Sequence, residues 1–255
     1  MPSIETRKNA DKETPLVCVA SLTKSFGQQT VLKEINLEVS RGQTLSVLGQ
    51  SGTGKSILLK LIIGLHKPDS GSISIFGREI TNLPLRELNE VRKKVGFLFQ
   101  QAALYDSLTV EENVAFPLRR HSRMPDDQRA KRVQELLANV GMDQDAHKMP
   151  SEVSGGMQKR VGLARALALD PEILLFDEPT AGLDPITAAE IDDLIVRLQK
   201  ERHMASIVVT HDIHGARVVS DRLALMRDGQ ILVEGTFEDL QGSRDPFVMQ
   251  FLSNS

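Results

Sequence analysis

One stretch of the chain combines residue types and a spacing that suit phosphate chemistry. It matches the pattern G-x-x-x-x-G-K-[ST] at every fixed position, and it reads Gly49, Gln50, Ser51, Gly52, Thr53, Gly54, Lys55, Ser56. Glycines let a backbone curl around a phosphate with its N–H groups pointing inward. Lys55 can reach the outer phosphates of a nucleoside triphosphate, and the Ser56 hydroxyl can ligate Mg²⁺. The alternative, a chance glycine-rich turn, is disfavoured by the strand-like and helix-like segments on either side, Thr44–Leu48 and Ile57–Leu65.

A second candidate for chemistry is a pair of carboxylates that follows an apolar run. Ile173–Phe176 reads as a buried strand, and Asp177 and Glu178 come directly after it. Ligands bind beyond the carboxyl ends of the strands in open α/β sheets. Asp177 could hold Mg²⁺ and Glu178 could polarise an attacking water, whereas a plain strand-end turn is the alternative reading. The phosphate-binding pattern upstream favours the catalytic interpretation.

Elements that would position these residues can be predicted from hydrophobic patterning. Short alternating strands at Leu16–Ala20, Val31–Val39 and Ser72–Phe76 indicate an antiparallel region. Strands then alternate with helices, which predicts a doubly wound α/β core. We expect residues 1–14 to be a disordered tail and residues 15–255 to form one domain, with a helical subdomain inserted at about 101–170. Within that insertion, Pro117–Gln128 reads as a polar, basic connector, and a long helix is expected from Ser154 to about Asp170.

Composition restricts the possible classes of protein. The 255-residue chain is 40% hydrophobic and 25% charged with a net charge of −3, which gives no sign of nucleic-acid binding. A single cysteine, Cys18, excludes an internal disulfide and reads as a buried thiol. No apolar run is long enough to span a bilayer, so a membrane role would require a partner. The basic segment Leu118–Arg123 reads as a solvated loop, and the alternative is a contact with lipid headgroups or with a partner.

Further motifs give the sequence a family resemblance. Val153-Ser154-Gly155-Gly156-Met157 resembles the signature of ATP-binding cassette (ABC) ATPases, although Val153 and Met157 replace the usual Leu and Gln. The other motifs of the family are also present in the family's order along the chain. Two precede the signature, Ser25-Phe26-Gly27 and Phe99-Gln100, and two come after it, Pro179–Asp184 and Thr210-His211-Asp212. The resemblance implies an α/β P-loop NTPase (RecA-like) core with an antiparallel β subdomain and an inserted helical subdomain.

The resemblance also implies roles for individual residues, with ATP and Mg²⁺ as cofactors. Phe26 would stack on adenine, Gln100 would sense the metal and the water, and His211 would contact the γ-phosphate and Glu178. Ser154, Gly155 and Gly156 would bind the γ-phosphate held by a second copy of the chain, and Asp184 would lie in the dimer contact. Taken alone, Ser154 could be a plain helix cap, His211 a strand-end histidine, Gln100 a polar strand end and Phe26 a core aromatic.

Within the family, the chain is similar to the ATPases of MCE-associated (Mla-type) phospholipid transporters. The similarity lies in residues 101–119, in Met157, in Asp177–Ile186 and in the C-terminal segment 245–252. It implies a homodimer of ATPase subunits with membrane permease subunits and an MCE-domain lipid-binding protein, at the cytoplasmic face of the bacterial inner membrane. Two alternatives stay open: transport of an amino acid, metal or lipoprotein, and a soluble ABC ATPase of DNA repair or translation.

Overall fold

A computed structural model describes residues 14–253 of the chain. The tail predicted for residues 1–14 lies outside the described residues, except for the exposed Thr14. Within the described part the strands are β1 (Val17–Phe26), β2 (Gln29–Val39), β3 (Thr44–Leu48), β4 (Ser70–Ile75), β5 (Arg78–Glu79), β6 (Val95–Leu98), β7 (Ile173–Asp177), β8 (Ala205–Thr210), β9 (Arg222–Arg227) and β10 (Gln230–Gly235). The α-helices are α1 (Lys55–Ile62), α2 (Leu85–Arg92), α3 (Val110–His121), α4 (Asp126–Asn139), α5 (Gly155–Ala166), α6 (Pro185–Arg202), α7 (Ile213–Val219), α8 (Phe237–Gln241) and α9 (Pro246–Ser253).

The strands form two sheets of different character. The first sheet is antiparallel, with the order β2-β1-β4-β5, as the alternating strands near the N-terminus predict. The second has the order β10-β9-β3-β8-β7-β6 and is parallel, except that β10 pairs antiparallel with β9. Strands β3, β7 and β8 are buried at every residue, because helices cover both faces of this sheet. The predicted α/β class is therefore confirmed.

Strand order determines where the candidate residues lie. Strand β8 lies between β3 and β7, and all three run in the same direction. Their carboxyl ends therefore share one edge of the sheet. The phosphate loop follows β3, Asp177 ends β7, and His211 follows β8. Residues separated by more than 150 positions in the chain are thus brought to one place.

Helices α3, α4 and α5 pack together through a buried cluster that includes Val114, Leu137 and Val161 and continues into β7 and α6 of the core. The prediction of a connector over Pro117–Gln128 is wrong. Pro117 lies inside α3, and α4 already begins at Asp126, so only residues 122–125 connect the two helices. Buried residues at helical spacing hold α3 together around its proline.

The predicted helix from Ser154 to about Asp170 is also too long. Helix α5 ends at Ala166, and Asp170 has a positive φ of 50°. Asp170 precedes Pro171, and a proline ring disfavours the helical conformation of the residue before it. No helix among residues 14–253 combines the length and apolar character needed to cross a bilayer.

Candidate functional site

The phosphate loop is held tightly between the two sheets. Gly54 has φ 101° at the start of α1, and a Cβ there would lie 2.7 Å from the Leu32 side chain. A Cβ on Gly49 would lie 2.6 Å from the backbone oxygen of Met226 in β9. The hairpin turn at Gly229 touches the same strand β2, because Lys33 N donates to Gly229 O at 2.8 Å. Only glycine fits both close approaches in the loop, so its backbone is fixed by tertiary contacts.

Lys55 is buried beneath this loop. Its ammonium donates to the backbone oxygens of Gly49 at 2.7 Å and of Gln50 at 3.0 Å. The Glu178 carboxylate lies 3.7 Å from the same nitrogen. Burial lowers the pKa of Lys55, and the charge of Glu178 partly opposes that effect. Lys55 therefore holds the loop closed by binding two of the loop's carbonyl groups. Its ammonium group also lies at the position where phosphates would enter.

Ser56 and Asp177 meet beside Lys55. The Ser56 hydroxyl donates to Asp177 Oδ1 at 2.7 Å. Burial raises the pKa of Asp177, while the Ser56 hydrogen bond acts in the opposite direction. A hydroxyl and a carboxylate are hard oxygen ligands, and Mg²⁺ is usually held by one or two such groups together with substrate phosphates. The Ser56 and Asp177 oxygens therefore fit Mg²⁺ in that manner. Among residues 14–253, no cluster of three acidic, histidine or cysteine side chains that could hold a metal is found.

Glu178 and His211 form the second contact at this edge of the sheet. Glu178 Oε2 lies 2.9 Å from His211 Nδ1 and accepts a 3.3 Å hydrogen bond from the His211 backbone N–H. The carboxylate is buried, whereas the histidine side chain is 56% exposed. Glu178 has a positive φ of 49°, a sparsely populated conformation for a non-glycine residue that often occurs at functional sites. The arrangement places a buried carboxylate directly beneath an imidazole that faces solvent.

Two other predicted residues lie at the margins of this site. Gln100 is exposed after β6, and it is the backbone oxygen of Gln100, not its side chain, that accepts a hydrogen bond. Phe26 is 45% exposed at the end of β1. Its ring meets His66 edge-on at a centroid distance of 5.7 Å, and Lys24 Nζ lies 5.3 Å from its centre. An exposed ring of this kind is suited to stacking on a planar ligand.

Residues of the signature and of the dimer-contact motif cap helices in the structure. Ser154 is the N-cap of α5, and its hydroxyl accepts from Met157 N at 3.3 Å. Asp184 is the N-cap of α6, and its hydrogen bonds to Thr187 hold its pKa below the usual range. Among residues 14–253 no hydrogen bond or ion pair joins Ser154, Gly155, Gly156 or Asp184 to the phosphate loop. Within one chain, these residues therefore do not complete the site.

Sequence reasoning missed one buried residue of the site, Lys159 in α5. Its ammonium donates to the backbone oxygen of Glu178 at 3.0 Å and to that of Gln100. A signal was present in the sequence, because Lys159 shares a helical face with the buried Gly156 and Leu163. A lysine on an inward face is rare and needs partners, which only the folded chain supplies.

A parallel sheet with a glycine-rich loop, a buried lysine and a Ser–Asp pair at its carboxyl edge defines a P-loop nucleoside triphosphatase. Comparison with known families identifies the kind. Residues 32–181 match the family model described as ABC transporter. The chain therefore belongs to the ABC transporter family.

Individual relatives agree with this family. The chain is 43% identical over 237 residues to the "Intermembrane phospholipid transport system ATP-binding protein MlaF" of Haemophilus influenzae, which covers 93% of this chain and 90% of that protein. It is also 43% identical over 235 residues to the "Probable ribonucleotide transport ATP-binding protein mkl" of Mycobacterium tuberculosis, covering 92% of this chain but only 66% of that longer protein. Among solved structures, a dimeric bacterial ABC transporter cassette superimposes with a TM-score of 0.81 at 37% identity, covering 86% of this chain and 98% of the other.

Proposed function

We propose that this chain hydrolyses ATP with Mg²⁺ at the carboxyl edge of its parallel sheet. The observation that carries the proposal is the convergence of two short contacts, Ser56 with Asp177 at 2.7 Å and Glu178 with His211 at 2.9 Å, around the buried Lys55. Ser56 and Asp177 would hold Mg²⁺, which would supply positive charge against the negative charge of the phosphates. Glu178 polarises the attacking water, and His211 orients that carboxylate. Gln100 contributes from the margin of the site, and Phe26 stacks on the adenine ring.

The site is completed by a second copy of the chain. Ser154, Gly155 and Gly156 form the N-terminus of α5, and free N–H groups at a helix N-terminus bind phosphate. Among residues 14–253, no hydrogen bond or ion pair joins them to the phosphate loop of their own chain, which supports binding across a homodimer. Asp184 lies beside the strongly exposed Ile186, which is 76% exposed and suits a protein contact. ATP would then close the dimer, and hydrolysis would open it.

The same α5 helix borders a groove suited to a permease. A cavity of about 470 Å³ lies between β6 and the helical subdomain, lined by residues that include Phe97, Phe99, Tyr105, Phe116 and Arg165. The Tyr105 and Phe116 rings are in contact, tilted by 42° with a centroid distance of 4.7 Å, and Tyr105 is 46% exposed. An aromatic groove with a charged rim fits a segment of a membrane partner.

A buried asparagine fixes the loop at this groove. Asn113 Oδ1 accepts from Tyr105 N at 2.8 Å. Its amide nitrogen lies near 3 Å from the backbone oxygens of Tyr105, Leu108 and Thr109. The amide oxygen accepts from the loop and both amide hydrogens have backbone acceptors, so Leu104 and Tyr105 are presented in a defined geometry. That rigidity supports a docking role for the loop.

For the cargo, we propose phospholipid moved between the inner and outer membranes, which maintains the lipid asymmetry of the outer membrane. The full-length similarity to a phospholipid-transport ATPase supports it, together with the resemblance in residues 101–119, Met157 and the C-terminal segment. The partners would be a permease and an MCE-domain lipid-binding protein, at the cytoplasmic face of the inner membrane. A different cargo is the second candidate, because a sulfate/thiosulfate importer from Synechocystis is 41% identical.

Two experiments test these assignments. Glu178→Gln keeps the shape of the side chain but weakens its ability to polarise water, so this variant should bind ATP, hydrolyse it slowly and accumulate as a dimer. A variant that stays monomeric with ATP and turns over normally would contradict the mechanism. For the cargo, the protein is purified from native membrane in mild detergent and its partners are identified by mass spectrometry. Recovery of a permease with an MCE protein supports phospholipid transport, whereas recovery of ribosomes or DNA contradicts any transport role.

A further inference from the structure

Lys159 links three parts of the molecule through one buried ammonium group. The side chain is 5% exposed, and it extends from α5, about one turn after the signature residues Ser154–Gly156. It donates to the backbone oxygen of Gln100, where the core continues into the helical subdomain. It also donates to the backbone oxygen of Glu178, at 3.0 Å. The mechanism described above does not use this residue.

Burying a lysine is unfavourable unless its charge and its donors are compensated. Here two carbonyl groups accept from the ammonium, and the carboxylates of Asp177 and Glu178 favour its charged form. Burial nevertheless dominates and lowers the pKa of Lys159 to about 8. An apolar side chain of similar length would fill the same space without this cost. The contacts that the ammonium makes therefore have a consequence other than packing.

That consequence concerns the backbone of Glu178. Its φ of 49° is strained for a residue with a side chain, and such a conformation persists only where the surroundings fix it. Glu178 N donates to Val209 O at 2.9 Å, and Glu178 O accepts from Lys159 at 3.0 Å and, at the longer distance of 3.3 Å, from Ala181 N. The residue is thus held from both of its peptide groups. Without the charged Lys159 donor, this oxygen would keep the longer bond from Ala181 N, and the following peptide could rotate and displace the carboxylate from His211.

We propose that Lys159 is a positioning residue for hydrolysis, which fixes the backbone at Glu178 and joins it to Gln100 and to the helix that carries the signature. This inference rests on the proposed role of Glu178. The N-terminus of α5 would bind phosphates held by a second chain, and this binding would move α5. The Lys159 side chain transmits that movement to the backbone of Glu178 and of Gln100. The signature helix thereby adjusts the geometry of the hydrolytic carboxylate directly.

The test uses the full-length chain and measures steady-state ATP hydrolysis and ATP affinity. Lys159→Met keeps most of the volume and removes the donors, so kcat should fall by about tenfold to a hundredfold, the range expected for a misplaced reacting group. ATP affinity should stay within about twofold, because Lys159 makes no contact with the phosphate loop. Lys159→Gln restores an N–H donor on a shorter side chain and should recover part of kcat.

Arg160→Gln is the matched control. Arg160 is the next residue of α5 and is also a cation bound to a backbone oxygen, that of Val140, and to Glu190. It reaches neither Glu178 nor Gln100, so kcat should stay within about twofold of the wild type. An equal loss of kcat in Arg160→Gln and Lys159→Met would overturn the proposal, because any weakening of α5 would then have the same effect.

A double variant separates positioning from stability. If Lys159 acts through Glu178, adding Lys159→Met to Glu178→Gln should lower single-turnover hydrolysis by less than about threefold further. If Lys159→Met lowers hydrolysis by the same factor in the wild type and in Glu178→Gln, the proposal is overturned. A loss of hydrolysis that is explained by a lowered unfolding temperature would also overturn it. Wild-type turnover in Glu178→Gln alone would instead overturn the proposed function of Glu178, and the inference with it.

Discussion

Replacing Asp192 by asparagine should stabilise the protein at about pH 8 and change little at about pH 4. Asp192 lies in α6, 6% exposed, and faces α7. Its Oδ2 is so near Gly215 that a Cβ there would lie 2.7 Å away. Burial, with the charges of Asp212 and Asp193 adding to it, raises the pKa of Asp192 from 3.8 to about 7. The folded chain therefore disfavours the ionised carboxylate.

The sign of the effect follows from proton binding. The unfolded chain loses the Asp192 proton near 3.8, whereas the folded chain keeps it to about pH 7. Between these values the folded state binds more protons, so the free energy of unfolding falls as pH rises and the loss is complete above about pH 7. The difference between the two pKa values corresponds to about 4 kcal/mol at most. Because Asp192 borders a cavity of about 580 Å³ open to solvent, we expect about half of that, or about 2 kcal/mol.

Urea unfolding of the nucleotide-free protein at about pH 4 and about pH 8 measures the effect. Asp192→Asn removes the ionisation, so its advantage over the wild type should appear only at the higher pH. Glu201→Gln removes an exposed carboxylate from the same helix, nine residues beyond Asp192, and is the matched control. An advantage of equal size at both pH values, or a variant that is less stable than the wild type at about pH 8, would refute the reasoning.

Three further substitutions have defined outcomes. Lys55→Ala should remove most ATP binding and turnover, because it deletes the buried cation that would meet the phosphates; unchanged hydrolysis would refute the assignment of the phosphate loop. Tyr105→Ala should lower permease-stimulated hydrolysis while the basal rate and ATP affinity stay the same, since Tyr105 lines the groove and not the nucleotide site; an equal loss of basal rate would argue against docking there. Gly54→Ala should lower ATP affinity and stability by about 1–3 kcal/mol, because the added methyl meets Leu32 at a φ of 101°; calorimetry and urea unfolding measure both.

The sequence predicted the elements whose signals are local. Strand β3 was predicted with its observed bounds, because five residues enter directly into a glycine-rich loop. The phosphate loop and the Asp177–Glu178 pair could be found because each is a short, continuous pattern. The connector at Pro117–Gln128 was predicted wrongly because proline and charge usually indicate a loop, whereas packing of Val114 and Leu118 holds α3 together through the proline.

Contacts between distant residues could not be predicted in this way. Lys159 meets Gln100 across 59 positions, and Asp192 is perturbed by α7 and not by its own helix alone. Such environments exist only after α5, α6 and the sheet have packed. The roles expected for Ser154–Gly156 and Asp184 remain predictions, because both depend on a second chain.

The close approaches at Gly49 and Gly54 have a kinetic consequence. Their neighbours, Met226 and Leu32, belong to two different sheets, so the loop between them is fixed before any nucleotide arrives. A binding loop that is preorganised loses little conformational entropy when its ligand binds. Capture of ATP should therefore proceed in a single fast phase at a rate set by collision, and slower steps in the cycle should come from the encounter of two chains.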